Sequence, residues 1–330
     1  MEHRSGGGSL APIYRVAEQR DAETAGGVDA NLVRAAGLRP ELDERHPAFC
    51  RQLAPVGHGR LALARRNHPP AFLDRADLAQ CEFDRAFIVL HGRGGEDGSM
   101  QGALQQLGLP YTGSKVLGSA LAMDKIRCKW LFQAQQLPTS PFAVVHSNDT
   151  DFAGLLALLG GKVMVKPANE GSSIGMSAAS TAQELQDAVQ AALKYDSEIL
   201  VERWINGREF TVAILNGQVL PIVEMRTPRA FYDYEAKYQS NNTEYLCPAP
   251  LSAELTAAMQ DTALKAFNAV GASGWGRVDI MLDETGQHYL LEVNTVPGMT
   301  EKSLVPMAAK AAGLSFQQLV LAILTQTQEA

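Results

Sequence analysis

Two stretches constrain this chain more than any others. They are Gly274-Trp275-Gly276-Arg277-Val278-Asp279-Ile280-Met281-Leu282 and Tyr289-Leu290-Leu291-Glu292-Val293-Asn294-Thr295-Val296-Pro297-Gly298, with Thr285-Gly286 between them. Their β-branched and aliphatic content around that turn signal predicts two strands of a hairpin. A turn that leaves two or four residues unpaired sets Asp279 opposite Glu292 and Arg277 opposite Asn294. Opposed residues of an antiparallel pair share a face, as do residues two apart. Arg277, Asp279, Glu292 and Asn294 would then lie together, with an apolar face behind them. Two carboxylates and an amide oxygen form a hard-oxygen set suited to Mg²⁺, and the arginine could hold an anionic group. A solvated sheet face with ordinary charge pairs explains the hairpin alone equally well.

The chain has 330 residues, enough for two or three domains with real cores. A net charge of −7 argues against a general nucleic-acid binder. No apolar run approaches the roughly 18 residues of a membrane span, and no signal peptide is visible. Cys50, Cys81, Cys128 and Cys247 are scattered without a CxxC, as in reduced thiols of a cytoplasmic protein.

Residues 1–82 differ from the rest. The first lysine of the chain is Lys115, while Arg, Ala, Pro and His abound before it. Leu61 to Ala64 predicts a short strand and Asn31 to Ala36 the start of a helix. Order begins at Phe83, with a buried strand over Arg85–Leu90 and a glycine-rich loop, Gly92 to Gly98, leading into a helix. Ser119 to Gln135 reads as one helix, placing Lys125 and Lys129 one turn apart on a side more often solvated than functional. Lys166 ends a strand, and Glu170-Gly171-Ser172-Ser173-Ile174-Gly175-Met176 follows. Its small residues would let backbone N–H groups approach phosphate oxygens, although Gly/Ser turns are common. The strand through Glu198–Ile205 offers a backbone edge beside Trp204 for a planar base; a core tryptophan is the simpler reading. Asn216-Gly217 predicts a tight hairpin. Phe231 to Tyr238 is aromatic yet polar, and reads either as a loop closing over a site or as an exposed edge strand. Ser252 and Ser315 predict helix N-caps.

Taken in order, His91-Gly92-Arg93-Gly94-Gly95-Glu96-Asp97-Gly98, Met123-Asp124-Lys125, Val165-Lys166-Pro167, Glu170 to Ser177, Tyr232 to Tyr238, Gly276-Arg277-Val278-Asp279 and Leu291 to Thr300 resemble the D-alanine–D-alanine ligase family of the ATP-grasp superfamily. The resemblance covers about residues 83–326. It implies an α+β protein of three domains: an N-terminal α/β domain (1–118), a central nucleotide-grasping domain (119–205) and a C-terminal α+β domain (206–330) carrying the metal hairpin. It further implies ATP with two Mg²⁺ or Mn²⁺ ions and two D-alanine substrates, joined through an acyl phosphate for peptidoglycan synthesis in the cytoplasm. A homodimer is usual in the family. By resemblance, Asp279, Glu292 and Asn294 match metal ligands, and Lys125, Lys166 and Lys237 match phosphate contacts. Glu202, Arg203, Trp204, Ile205, Glu209 and Phe231 fall where adenine and ribose are held. Arg277 and the Gly298 N–H lie where the oxyanion is stabilised, and His91 among the substrate residues. Ser303 and Leu304 match the capture point of the second D-alanine's carboxylate. Tyr238, of the dipeptide-forming type, pairs with Ser172 in a triad.

The chain departs from the family upstream of His91. The triad's third member is a glutamate in a stretch resembling Leu-Gly-Gly-x-Ser-x-Glu-Arg-Glu-Val-Ser, and no such stretch occurs; Glu18 and Glu23 lack the flanking glycines. The composition of residues 1–82 would fit a shifted reading frame. Two other readings therefore stand beside an active ligase: an impaired relative that still binds ATP, and another ATP-grasp carboxylate–amine ligase.

Overall fold

The computed structural model describes residues 60–64, 71–73, 85–171, 173–227, 243–300 and 302–328. Three sheets organise them. The first has the order β2-β1-β3, from Arg60–Ala64 (β1), Ala71–Leu73 (β2) and Arg85–Val89 (β3). The expected strands over Leu61–Ala64 and Arg85–Leu90 are both present. Ser99–Gln106 (α1) follows the glycine-rich loop, and Met100 and Leu104 pack it against Ala86 and Ile88.

The helix expected over Ser119–Gln135 is two helices, Val116–Met123 (α2) and Lys125–Ala134 (α3). Asp124 between them is extended, and its carboxylate accepts from the N–H groups of Ile126 and Arg127. A capping aspartate inside a helical pattern thus restarts the helix instead of continuing it. The side chains of Lys125 and Lys129 are buried, not solvated.

The central sheet has the order β4-β7-β5-β6, with Phe142–Val145 (β4), Val163–Pro167 (β5), Ser177–Ala179 (β6) and Ile199–Arg203 (β7). Val163, Val165, Ile199 and Val201 pack on Phe152–Leu158 (α4) and Ala182–Ala192 (α5). The alternate residues Met164, Lys166, Leu200 and Glu202 therefore face the other way, as the period of two requires.

The third sheet runs β11-β10-β8-β12-β13, from Gly207–Leu215 (β8), Val223–Arg226 (β10), Glu244–Leu246 (β11), Trp275–Asp283 (β12) and His288–Asn294 (β13); Gln218–Val219 (β9) pairs β8 across the Asn216-Gly217 turn. Both turn residues have positive φ, as a tight hairpin needs. Val278, Ile280 and Leu282 bury against Ala253–Ala269 (α6), which Ser252 caps as expected. Gly276 must be glycine: a Cβ there would lie 2.5 Å from the Phe267 ring and 2.7 Å from the Asn294 carbonyl oxygen. At its start the opposite face, Trp275 with Leu215 and Ala213, packs on Leu304–Ala311 (α7) and Phe316–Thr325 (α8), where Ser315 supplies the expected capping box. Among the described residues no single helix is long and apolar enough to cross a membrane.

The hairpin register is the expected one where it matters: Asp279 opposes Glu292 and Arg277 opposes Asn294. The route to it differs. Pairing nearer the turn is offset, with Leu282 opposite His288 and Ile280 opposite Leu290. The Asp283 N–H donates to the Gln287 carbonyl across an odd-numbered turn. A bulge that leaves Leu291 without an opposite residue then restores the phase, and it turns Leu291 and Glu292 toward the same side.

Candidate active site

Along β12 the residues of one face divide the work. Trp275 is core, Arg277 and Asp279 are polar, and Met281 is apolar again at the rim of a cavity of about 480 Å³. Strand alternation alone carries these four side chains to one side. The cavity lies between the central sheet, which contributes Met164, Lys166 and Glu202, and the third sheet, which contributes Glu209, Asp279, Met281, Leu291 and Glu292. Met164, Met281 and Leu291 give it apolar walls suited to a planar ring. None of these three was among the expected residues. Met281 continues the alternation from Arg277 and Asp279 and was within reach of the pattern; Leu291 depends on the bulge and was not.

The Arg203-Trp204-Ile205 connector lines the same cavity. The Arg203 side chain turns away and donates from Nε to the Leu159 carbonyl oxygen at 3.2 Å, so Arg203 offers its main chain more than its charge. Trp204 is not core: it is part-exposed, with Lys162 Nζ 3.9 Å from its ring centroid. Glu202 is 2% exposed and holds Lys166 through Oε1 at 2.5 Å. Burial opposes the charge of both, but attraction prevails: Lys129 and Lys166 together push the Glu202 carboxyl down to about 2, and Glu202 raises the Lys166 ammonium.

The acidic patch forms as the register requires. Asn294 Nδ2 lies 3.2 Å from Asp279 Oδ2 and 3.5 Å from Glu292 Oε1. Thr211 Oγ1 donates to Asp279 Oδ1 at 2.6 Å and fixes that carboxylate. Two cations attend the patch. The Arg277 guanidinium bonds both oxygens of Asp279, and Lys125 Nζ lies 3.4 Å from Glu292. Among the described residues no three His, Cys, Asp or Glu side chains converge into a self-sufficient metal cage. Two carboxylates and an amide fit Mg²⁺ nonetheless, because that ion completes its octahedron with phosphate oxygens and water.

A second, smaller cavity of about 70 Å³ adjoins the patch. His91, Glu96, Gly171, Arg277, Asn294 and Gly298 line it, with Lys125 and Glu292 lining both cavities. Glu96 accepts from the Gly92 N–H at 3.0 Å, and His91 Nδ1 lies 3.3 Å from its other oxygen. Sequence reasoning missed Glu96, although it stands within the glycine-rich loop. Arg93 ties this loop to the central segment by donating to Glu170 at 2.6 Å, and Lys125 donates to the Glu170 carbonyl at 2.7 Å. The Ser303 hydroxyl bonds the N–H and hydroxyl of Thr300, at 3.1 and 2.9 Å, and sits against Gly298 just outside this cavity. Leu304 begins α7 behind it. Ser172, Phe231, Lys237 and Tyr238 lie outside the described residues.

Two antiparallel sheets facing across such a cleft, with Lys166 and Glu202 on one and Glu209, Asp279 and Glu292 on the other, define the ATP-grasp class. Within it, the family model described as D-ala D-ala ligase C-terminus matches residues 131–325, and the one described as D-ala D-ala ligase N-terminus matches residues 37–114. The motif resemblance began only at Phe83, so likeness extends further upstream than those motifs. The D-alanine–D-alanine ligase of Pseudoalteromonas translucida is 62% identical over 76% of this chain and 82% of its own length. The corresponding ligase of Pseudomonas putida is 57% identical over 76% and 79%. Among solved structures, D-alanine–D-alanine ligase from Bacillus anthracis complexed with ATP superposes with a TM-score of 0.69, at 32% identity over 78% of this chain and 84% of that one. The chain belongs to the D-alanine–D-alanine ligase family.

Proposed function

We propose that this protein joins two D-alanine molecules at the expense of ATP, through an acyl phosphate, to supply a peptidoglycan precursor. The observation that carries the reading is the shared wall between the two cavities. Lys125 and Glu292 line both, with Asp279 on the larger side and Arg277 and Asn294 on the smaller, where a nucleotide in the one would meet an amino acid in the other.

Phosphoryl transfer asks the protein for positioning and charge neutralisation more than for covalent chemistry. Lys166 from the central sheet and Lys125 from α3 supply positive charge on the nucleotide side, with Lys237 assigned the same task. Glu202 and the connector through Ile205 receive the adenine, and Glu209 flanks the ribose, a role the resemblance also gives Phe231. Asp279, Glu292 and Asn294 would hold two Mg²⁺ or Mn²⁺ ions, which neutralise triphosphate charge when bound. The first D-alanine places its carboxylate beside Arg277. Glu96 and His91 offer its ammonium an acceptor in a chain that lacks the family's upstream glutamate motif. After phosphorylation, the amine of the second D-alanine attacks the acyl carbon. Arg277 and the Gly298 N–H stabilise the oxyanion, and phosphate leaves. Ser303 and the start of α7 hold the second carboxylate; the paired role of Ser172 and Tyr238 rests on the resemblance alone. The three-part division at 118/119 and 205/206, a homodimer and a cytoplasmic setting belong to the same reading.

Phosphate release tests it. D-alanine should stimulate release from ATP, and L-alanine should not. Release stimulated only by another acid would replace this reading with a different carboxylate–amine ligation.

A further inference from the structure

One buried charge is left without a task by this scheme. Lys129 is 0% exposed and lines neither cavity, yet burying an ammonium is costly unless it is fully paired. Its Nζ donates to Thr139 Oγ1 at 2.8 Å and Ser140 Oγ at 2.9 Å, and lies 2.6 Å from Glu202 Oε2. Those three acceptors use all three ammonium protons. Lys129 therefore reaches a ligand only through Glu202 and Ser140, which line the larger cavity, and of these two only Glu202 carries charge. The Ser140 hydroxyl also donates to Glu202 Oε2, at 2.6 Å, so that oxygen is taken. Lys166, on the cavity wall, meets the remaining oxygen, Oε1. Burial lowers the Lys129 pKa below its ordinary value, and the attraction of Glu202 opposes that only in part. With three oxygen acceptors around it, the group is assigned as ammonium.

We infer that Lys129 is a positioning residue for the nucleotide's phosphates, because it occupies one side of Glu202 and leaves the Lys129–Glu202–Lys166 cluster with a net positive charge facing the cleft. This rests on the nucleotide reading of the larger cavity. Without Lys129 the cluster would be one carboxylate and one ammonium. It would be neutral, and both Glu202 oxygens could draw Lys166 away from phosphate. With Lys129 the carboxylate is already neutralised from behind, and the charge of Lys166 remains for the ligand. In a cleft of low effective dielectric, one unit of charge weighs heavily on phosphate affinity.

The test compares ADP with adenosine, which has no phosphate, by calorimetric titration of the whole chain at fixed magnesium. In Lys129→Met the preference for ADP over adenosine should fall about tenfold or more. In the double variant Lys129→Met/Glu202→Gln, where Lys166 again provides the only net charge, the preference should return to within about threefold of the wild type. A purely structural role would weaken both ligands together and show no return. An unchanged preference in Lys129→Met, or a loss that persists in the double variant, overturns the inference. Should Lys129→Met fail to fold, Glu202→Gln alone decides: the preference must stay level or rise, and a fall overturns the inference. A wild-type chain that binds no ADP would remove the nucleotide reading itself, whereas ADP binding with unaltered preferences would remove only the role of Lys129.

Discussion

Arg277 and Asp279 are two residues apart on one strand, and the guanidinium of the first bonds both carboxylate oxygens of the second. The residue assigned to the developing oxyanion thus rests on a residue assigned to the metal. Arg277→Met should lower kcat about 100- to 1,000-fold, the scale of losing one oxyanion donor. The KM for ATP should change by less than about fivefold, because Arg277 lines only the smaller cavity. Steady-state kinetics in both substrates checks this; a loss expressed wholly in the KM for ATP would place Arg277 on the nucleotide instead.

Asp279 and Glu292 each supply a carboxylate to one patch, so neither should be replaceable by its amide. Asp279→Asn and Glu292→Gln should each weaken Mn²⁺ binding in the presence of ADP by about tenfold or more, since amides are poorer ligands for hard cations. Electron paramagnetic resonance reads free Mn²⁺ directly and needs no turnover. Equal Mn²⁺ affinity in all three proteins would contradict the metal assignment.

Glu96 offers a charged acceptor in the smaller cavity. A hydrogen bond to a charged group is worth about 1.5–3 kcal/mol, so Glu96→Gln should raise the KM of the first D-alanine about 10- to 100-fold. The KM of ATP should barely move. Initial rates over a wide D-alanine range separate the two amino-acid sites.

The Glu202 carboxyl also shapes stability in acid. Its folded pKa is pushed down to about 2 from an ordinary value of 4.5, because two ammonium groups outweigh its burial. A depressed carboxyl pKa contributes stability that is complete above the unfolded value, and it is lost as pH falls from about 4.5 toward 2. Thermal unfolding midpoints measured from pH 5 to pH 3 should fall more steeply in the wild type than in Glu202→Gln. Parallel curves would show that the pair does not hold in solution.

The polar face of the hairpin was legible in the sequence because alternation and an opposed register need only local spacing. Asp279, Glu292, Arg277 and Asn294 meet as that spacing requires. Helix caps at Ser252 and Ser315 were legible for the same local reason. Leu291 was not, since a bulge is a response to tertiary packing that no period of two announces. Lys129 was misread as a solvated lysine because helical spacing reports a face and not what covers that face. Its partners Thr139, Ser140 and Glu202 arrive from the β4 approach and from β7. Asp124 ended one helix and began another because its side chain found two free N–H groups, a choice that apolar periodicity does not record.

The most direct measurement of the central claim follows an atom. D-alanine carrying ¹⁸O in its carboxylate is incubated with ATP, magnesium and the protein, and the released phosphate is analysed by mass spectrometry. An acyl phosphate displaced by an amine must leave one labelled oxygen on each phosphate, alongside D-alanyl-D-alanine. Phosphate without the label, released by water attack on ATP, would contradict the account.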